Sequence, residues 1–235
     1  MYTKIPFHIH ELLRGARHTK HGVTHSADEV PIRQHKEYPR MPRIPLPLPE
    51  LQVPLVETME KRMSVQQKTA GSPTTMESIG ALLGHSLREY AHGRRPYPSG
   101  GSLYPIETYL IGAVVGSERG VYHYHPKSHS LEHLWDVERD FEMMSIFPND
   151  EMSEAAVSVV FTGAWQRTTA KYGDFGYLLA LLEAGHMAQN MLLVGAALGI
   201  SMNPVAAFDD DQVTRVLDIR EEEEQPVYAL AMSAH

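Results

Sequence analysis

The feature that most constrains the fold is a long helical stretch, about residues 176–198, that is apolar over most of its surface. Five leucines supply the apolar bulk of the predicted helix: Leu178, Leu181, Leu182, Leu192 and Leu193. Its polar residues recur three or four positions apart and therefore form one stripe: Glu183, His186, Gln189 and Asn190. Such a helix has to be buried against other elements, with the polar stripe as a seam toward an interface or a ligand.

Around this helix the sequence predicts an α+β domain. Four segments have strand patterns, the first two joined by a Gly-containing turn: residues 107–115, 121–125, 157–162 and 227–232. A shorter strand-like piece covers residues 201–206. Further helices are predicted from Leu55, with Met59 and Met63 on the same face, from a capping box of Thr74 and Glu77, and after a cap at Asp209 or Asp210. Strands alternate only partly with helices, which favours an α+β arrangement.

The first 55 residues differ from the rest of the chain because prolines recur too often for a helix or an inner strand. From residue 31 onward these prolines are Pro31, Pro39, Pro42, Pro45, Pro47, Pro49 and Pro54. Apolar residues alternate with the prolines, which favours an extended segment packed across the domain or a partner subunit. We therefore predict an extended N-terminal arm over residues 1–55 and one domain over residues 56–235.

Composition excludes several classes of function. The 235 residues contain no cysteine, so thiol nucleophiles, iron–sulfur ligation and zinc–thiolate sites are excluded, and any oxidising chemistry needs a borrowed cofactor. The net charge of 21 − 29 = −8 argues against nucleic acid and against an anionic membrane surface as partners. No signal-like pattern opens the sequence, and the longest apolar stretch, residues 191–202, is shorter than the roughly 20 residues of a spanning helix. We expect a cytoplasmic protein.

The most informative loop is RRPYPSGGSLYP, residues 94–105. Gly100 and Gly101 allow the backbone to approach a ligand closely, and the flanking prolines stiffen the loop, which would suit a flat ligand. The spacing alone fits an ordinary tight turn equally well, because it matches neither the phosphate loop nor G-x-G-x-x-G. Without a G-x-S-x-G elbow, Ser99 is a poor hydrolase nucleophile.

Two polar pairs have the composition of functional sites. Lys171 and Tyr172 precede the long helix, where a lysine with a pKa lowered by burial can act as a base and a phenol can hydrogen-bond to it. Adjacent residues act together only in a loop or at a helix start, which is where Gly173 places them; a solvent-facing pair is the simpler alternative. Arg62 and Ser64 combine a guanidinium with a hydroxyl, a pairing that can hold a phosphate.

Four histidines have an alternating spacing that metal ligands on a strand can also have. His123 and His125 share one face of their strand, and His8 and His10 repeat that spacing. No carboxylate or third histidine has a spacing that completes a site. We therefore predict packing residues and no metal.

Taken together and in this order, the motifs resemble those of the nitroreductase-like flavoproteins. The similarity is to the SagB-type dehydrogenases and to the azoline dehydrogenases of microcin-type and streptolysin-S-type peptide maturation. It covers nearly the whole chain and rests on HKEYPRMPRIPLP, KRMS, RRPYPSGGSLYPIE, VYHYHP, KYGDFGYLLALLEAGHMAQN and PVAAFDDD.

The resemblance implies an α+β sandwich with a central antiparallel sheet, a homodimer, and FMN in clefts between the two subunits. Lys171 and Tyr172 match the family's catalytic pair, and Arg62 and Ser64 match its phosphate ligands. Gln66 stands where the family has a second phosphate arginine, and the usual basic residue after the last strand is missing, so Arg94 or Arg95 could compensate. The other implied FMN contacts are Pro98, Ser99, Gly100, Gly101 and Leu103 along the ring, Ala206 or Ala207 at flavin N5, and Asn190.

The resemblance implies an FMN-dependent dehydrogenase that oxidises thiazoline or oxazoline rings to thiazoles or oxazoles in a ribosomally made peptide. Its partners would be the azoline-containing precursor peptide and a cyclodehydratase complex. Two alternatives stay open: an NAD(P)H-dependent nitro- or quinone reductase on the same scaffold, and a flavin-free scaffold subunit of a peptide-modifying complex.

Overall fold

A computed structural model describes residues 14–15, 35–64, 75–115, 118–137, 146–147 and 155–233. The strands in this part of the chain are β1 Arg43–Pro45, β2 Ile106–Val115, β3 Glu118–His125, β4 Ser130–Asp136, β5 Ala155–Ala164, β6 Met202–Val205 and β7 Glu224–Ser233. The helices are α1 Leu55–Lys61, α2 Met76–Leu87, α3 Gln166–Tyr172, α4 Phe175–Leu198 and α5 Asp210–Leu217.

The seven strands form one sheet in the order β1-β4-β3-β2-β5-β7-β6, and every neighbouring pair is antiparallel. The predicted α+β class with a central antiparallel sheet is confirmed. Two strands were not predicted, β1 and β4. β1 follows Pro42 and ends with Pro45 at the edge of the sheet, where a proline removes no ladder hydrogen bond, and this is why a proline-rich segment can still contribute a strand.

Two apolar clusters cover the two faces of the sheet. On one face α2 and α4 pack against residues such as Leu110, Phe161 and Leu230. On the other face α5 and the short segment 146–147 pack against the strands, together with Tyr38 and Met41 from the predicted arm. The sheet is therefore sandwiched between helices, and at least residues 35–46 of the arm are joined to the domain. The boundary at residue 55 stays a prediction.

Helix α4 is the longest helix of the layer on one face of the sheet. By length and composition alone it could cross a membrane, with 24 residues and a mean hydropathy of 1.2 over 18 of them. It instead packs against α2 and the sheet and buries the carboxylate of Glu183, which is the pattern of a core helix. The predicted polar stripe divides, because Glu183 and Asn190 point inward while His186 and Gln189 are exposed.

Two helix details differ from the sequence prediction. The capping box at α2 consists of Thr75 and Ser78, one position beyond the predicted Thr74 and Glu77; the Ser78 N–H donates to Thr75 Oγ1 (3.1 Å) and the Thr75 N–H to Ser78 Oγ (2.8 Å). Serine closes the box here in place of the usual glutamate. Helix α1 ends at Lys61, and its apolar face points outward, with Met59 56% exposed.

Candidate functional site

The candidate site lies at one end of the sheet, where β2 begins and β5 ends. Ile106 at the start of β2 pairs with Gly163 near the end of β5. The Ala164 N–H donates to the Pro105 carbonyl at 2.8 Å. The loop of residues 94–105, which enters β2, and helix α3, which follows β5, are therefore neighbours.

Lys171 and Tyr172 are the last two residues of α3, and both are partly buried. The prediction of a loop or a helix start was wrong in position, because Gly173, with φ of 54°, ends this helix. The two side chains nevertheless converge. Lys171 Nζ lies 5.2 Å from the centre of the Tyr172 ring, and both side chains approach Gly101 in the neighbouring loop.

The two glycines of the loop leave room for neighbouring side chains of the protein itself. A β-carbon on Gly100 would lie 2.9 Å from Leu179 Cδ1, and one on Gly101 would lie 2.6 Å from the Tyr172 phenol oxygen. Gly101 also has a φ of 64°, a left-handed conformation that disfavours side chains. The glycines therefore let α3 and α4 approach the loop, while the backbone from Gly101 to Ser102 stays exposed.

Other predicted site residues shape this loop from behind. The Asn190 amide donates to the carbonyls of Pro96 (2.9 Å) and Ser86 (3.4 Å), so it joins the loop to α2 and α4. Ser99 Oγ accepts the Tyr104 N–H at 2.9 Å. The Leu103 N–H donates to the Gly100 carbonyl at 3.4 Å, whereas Pro98 is exposed.

Arg167, one helical turn before Lys171, was missed by the sequence analysis. Its guanidinium is buried and donates to the Tyr104 carbonyl (2.9 Å) and to Glu107 Oε1. Burial alone raises the pKa of Glu107, but the charges of Arg167 and His123 outweigh burial and hold it well below its usual range. An arginine within QRTTAKY carries no motif, so only the pairing of β2 with β5 reveals this partner.

The carboxylates that the sequence analysis did not connect to the strand histidines meet at His123. Its Nδ1 lies 2.8 Å from Glu132 and its Nε2 lies 2.9 Å from Glu107, and the ring is fully buried. Burial lowers the pKa of His123, but hydrogen bonds to the two carboxylates raise it further, so the net shift is upward. Within the described ranges no group of three or more histidine, aspartate or glutamate side chains has the arrangement that could hold a metal ion. His8 and His10 lie outside the described residues.

Glu183 of α4 is another buried carboxylate, and it lies behind the loop. It is 1% exposed, and neither oxygen makes a hydrogen bond of ordinary geometry within the described part of the chain. Burial raises the pKa of Glu183, whereas the nearby Ser99 hydroxyl and the positive charges of Arg95 and Arg167 lower it. The net result is a pKa of about 7.

The remaining predicted site residues lie on elements other than this loop. Arg62 caps the C-terminus of α1, a helix that packs on α4, and Ser64 follows it, exposed. Gln66 lies outside the described residues. Ala206 and Ala207 are exposed after β6. Val205, the residue before them, pairs with Ala229 of β7. Ala229 lies 229 − 224 = 5 residues, or about 17 Å along the strand, from Glu224, where β7 begins.

The two candidate replacements for the missing phosphate arginine differ in availability. Arg95 is buried, donates to the Tyr97 phenol (3.0 Å) and lies 3.9 Å from Glu89, so it serves the loop itself. Arg94 is exposed. Only Arg94 is therefore positioned to reach a ligand in solution.

The sheet order, the helices on both faces and the loop at one end of the sheet define a nitroreductase-like α+β domain. A family model described as "Nitroreductase family" matches residues 59–233, and the chain belongs to this family. The protein MJ1384 of Methanocaldococcus jannaschii, which carries a nitroreductase name, is 32% identical over 179 residues, covering 74% of this chain and 89% of that protein.

Two further similarities are to a microcin-processing protein and, in fold, to a microcin synthetase complex. The microcin B17-processing protein McbC of Escherichia coli is 32% identical over 133 residues, which cover 54% of this chain and 49% of McbC. The match thus spans about half the length of McbC. The structure of the E. coli microcin synthetase McbBCD complex with truncated pro-MccB17 bound aligns with a TM-score of 0.59 and 20% identity, over 100% of this chain and 84% of the other.

Proposed function

We propose that this protein is an FMN-dependent dehydrogenase that oxidises thiazoline or oxazoline rings in a ribosomally made peptide. The observation that carries the proposal is the convergence of the Lys171 amine and the Tyr172 phenol on Gly101. A base and a hydrogen-bond donor thus lie together over an exposed backbone loop. The similarity to McbC supports a peptide as the substrate.

The residues present fit an FMN cofactor. Members of the nitroreductase family typically bind FMN. Gly101 and Ser102 are exposed and offer a surface for a flat ring. Lys171 and Tyr172 approach Gly101 on the side where another residue would carry its β-carbon. Arg62 and Ser64 offer a guanidinium and a hydroxyl for the phosphate, with Arg94 as an additional cation. We propose that Pro98, Ser99, Gly100 and Leu103 complete the wall along the ring and that an alanine N–H at position 206 or 207 approaches its edge.

FMN, when bound, supplies the acceptor for the hydride that leaves the azoline ring. Lys171 accepts the proton released from the adjacent ring carbon, so that loss of one proton and one hydride gives the aromatic azole. Tyr172 donates a hydrogen bond to the ring nitrogen and holds the ring in line with Lys171. Asn190 keeps the loop on α4 and thereby fixes the surface on which the ring lies.

We further propose that the protein is a homodimer whose interface includes α1 and α4. These helices contact each other, and together they expose six apolar side chains: Leu55, Val56, Met59, Tyr177, Leu181 and Leu182. Exposed apolar side chains grouped in this way are typical of protein interfaces. Because Arg62 and Ser64 directly follow α1, dimerisation would bring phosphate ligands to the edge of the interface.

The proposed partners are an azoline-containing precursor peptide and a cyclodehydratase complex that forms the ring. The alignment with the McbBCD complex, which holds its truncated precursor, supports this assignment. A net charge of −8 is compatible with a basic precursor peptide. The proposed location is the cytoplasm, where a ribosomally made precursor is available.

The experiment that tests the proposal has two readouts. The visible spectrum of the purified protein, with flavin released by denaturation and quantified, should give about one FMN per chain. An azoline peptide should then lose two hydrogen atoms per ring, as measured by mass spectrometry, while NAD(P)H bleaches the flavin slowly. Rapid bleaching by NAD(P)H with no azole formed would establish the nitro- or quinone reductase instead. No flavin even after incubation with FMN would favour the scaffold subunit.

A further inference from the structure

Arg167 connects the helix that carries Lys171 to the loop on which the proposed ring would lie. On α3 it precedes Lys171 by four residues, so the two side chains lie on the same side of the helix. One guanidinium nitrogen donates to the Tyr104 carbonyl, where the loop enters β2, and the other donates to Glu107 on β2. A planar guanidinium presents its donors to the two acceptors in one fixed geometry, whereas an ammonium group on a flexible stem holds acceptors less rigidly.

Glu107 is itself fixed by partners on other elements. His123 on β3 contacts its second oxygen at 2.9 Å, and Glu132 on β4 contacts the other nitrogen of that ring at 2.8 Å. Arg43 of β1 ends the row by donating to Glu132 at 2.6 Å. These side chains come from four strands and form a row of alternating charges. The row fixes the Glu107 carboxylate that pairs with Arg167. Arg167 therefore pairs with a rigid acceptor.

We infer that Arg167 is the positioning residue of the site: it sets the location of Lys171 by holding α3 against the end of the Gly100–Gly101 loop. The inference rests on the proposed role of Lys171 in the function above. Helix α3 has only seven residues, and it ends at Gly173, so little else in the helix itself fixes its last turn. A small rotation of α3 would move the Lys171 amine away from Gly101, and displacements of about 1 Å can reduce a rate about 100-fold.

The test uses the full-length protein with FMN, and the variants Arg167→Lys and Arg167→Gln. Arg167→Lys keeps a charge for Glu107 but loses the fixed geometry of the two donors, and Arg167→Gln loses the charge as well. We expect kcat for azoline oxidation to fall about 10-fold and about 100-fold, respectively, with KM changed less than twofold. Arg220→Lys and Arg220→Gln are matched controls, because Arg220 forms an exposed ion pair with Glu223, and they should keep the wild-type kcat.

A second measurement does not depend on the proposed reaction. Brief acylation with acetic anhydride, followed by mass spectrometry, gives the reactivity of Lys171 relative to the exposed Lys127 in each variant without substrate. We expect at least a threefold change of this ratio in both Arg167 variants. An unchanged ratio and an unchanged kcat in folded protein would overturn the inference. If wild-type protein oxidises no azoline, the proposed function fails, and the acylation ratio alone decides the role of Arg167. If Arg167→Gln does not fold, Arg167→Lys decides.

Discussion

The phenol oxygen of Tyr172 lies so close to Gly101 that a methyl group on this glycine would come within 2.6 Å of it. The contact joins the end of α3 to the loop before β2. Gly101→Ala should therefore displace Tyr172 in addition to imposing an unfavourable φ. We expect a loss of about 3 kcal/mol in the free energy of unfolding, measured by urea denaturation.

Gly93→Ala is the matched control for this substitution. Gly93 has a φ of 70°, similar to that of Gly101, but a β-carbon there would meet no atom within 4 Å. Its cost should be that of the backbone conformation alone, about 1 kcal/mol. Equal losses at the two positions would contradict the close contact between Tyr172 and Gly101.

The buried imidazolium of His123 should make stability depend on pH. Its pKa is raised in the folded protein, so its stabilising contribution is fully present below pH 6.5, the value of the unfolded chain, and is lost as pH rises through the folded pKa. His123→Gln should cost about 3 kcal/mol at pH 6, because Glu107 and Glu132 lose their shared cation. The cost, measured by urea denaturation, should be smaller at pH 9.

The exposed His92, on a turn outside the sheet, provides the control for His123. His92→Asn should change the free energy of unfolding by less than about 0.5 kcal/mol at both pH values, because asparagine also accepts the positive φ of 65° found there. A cost of His123→Gln that stays constant or increases from pH 6 to pH 9 would contradict a charged His123.

Glu183 should make the free energy of unfolding fall as pH rises, which is the opposite of a carboxylate whose pKa is lowered by folding. Its pKa of about 7 exceeds the usual value of 4.5, so the folded state binds more protons than the unfolded state between these values, and stability falls as pH rises. Glu183→Gln removes this dependence. The variant should gain about 2 kcal/mol relative to wild type between pH 5 and pH 8, measured by thermal or urea unfolding. A difference that does not change with pH would exclude a buried, titrating Glu183.

A charge on the exposed apolar face should separate the proposed dimer. Met59→Lys on α1 and Leu182→Lys on α4 each place an ammonium group in that face, where Met59 is 56% and Leu182 is 52% exposed. We expect monomers by size-exclusion chromatography with light scattering and reduced FMN content. Tyr90→Lys, an exposed position on neither helix, should stay dimeric; a wild-type monomer would refute the interface.

Local patterns in the sequence were sufficient for most of the fold. The alternation of apolar residues predicted β2, β3, β5 and β7, and the apolar content of α4 predicted a long helix that packs against other elements, because each signal repeats over several residues. The structure differs from a fully buried helix, because Leu181 and Leu182 are exposed. β1 and β4 were missed. β1 has only three residues, the last of which is a proline, and neither its edge position nor its pairing with β4 is encoded in a local pattern.

The candidate site was predicted less completely. The loop around Gly101 and the pair Lys171–Tyr172 could be recognised as motifs, and their proximity follows from the pairing of β2 with β5. Arg167 and Glu107 could not be recognised, because they are 60 residues apart and meet only in the folded sheet. The role of Asn190 as a ligand contact stays a prediction. Its amide also donates to the loop backbone, a contact that depends on how α4 rotates against α2.

The most direct test of the central claim is azole formation by Lys171→Ala with its FMN content measured in the same sample. Lys171 is partly buried at the end of α3 and is no part of the apolar core, so the variant should fold and bind FMN as the wild type does. The proposed mechanism predicts an azoline peptide that keeps its full mass with Lys171→Ala and loses two hydrogen atoms per ring with wild type. Azole formation at the wild-type rate by the FMN-bound variant would contradict the assignment of Lys171 as the base.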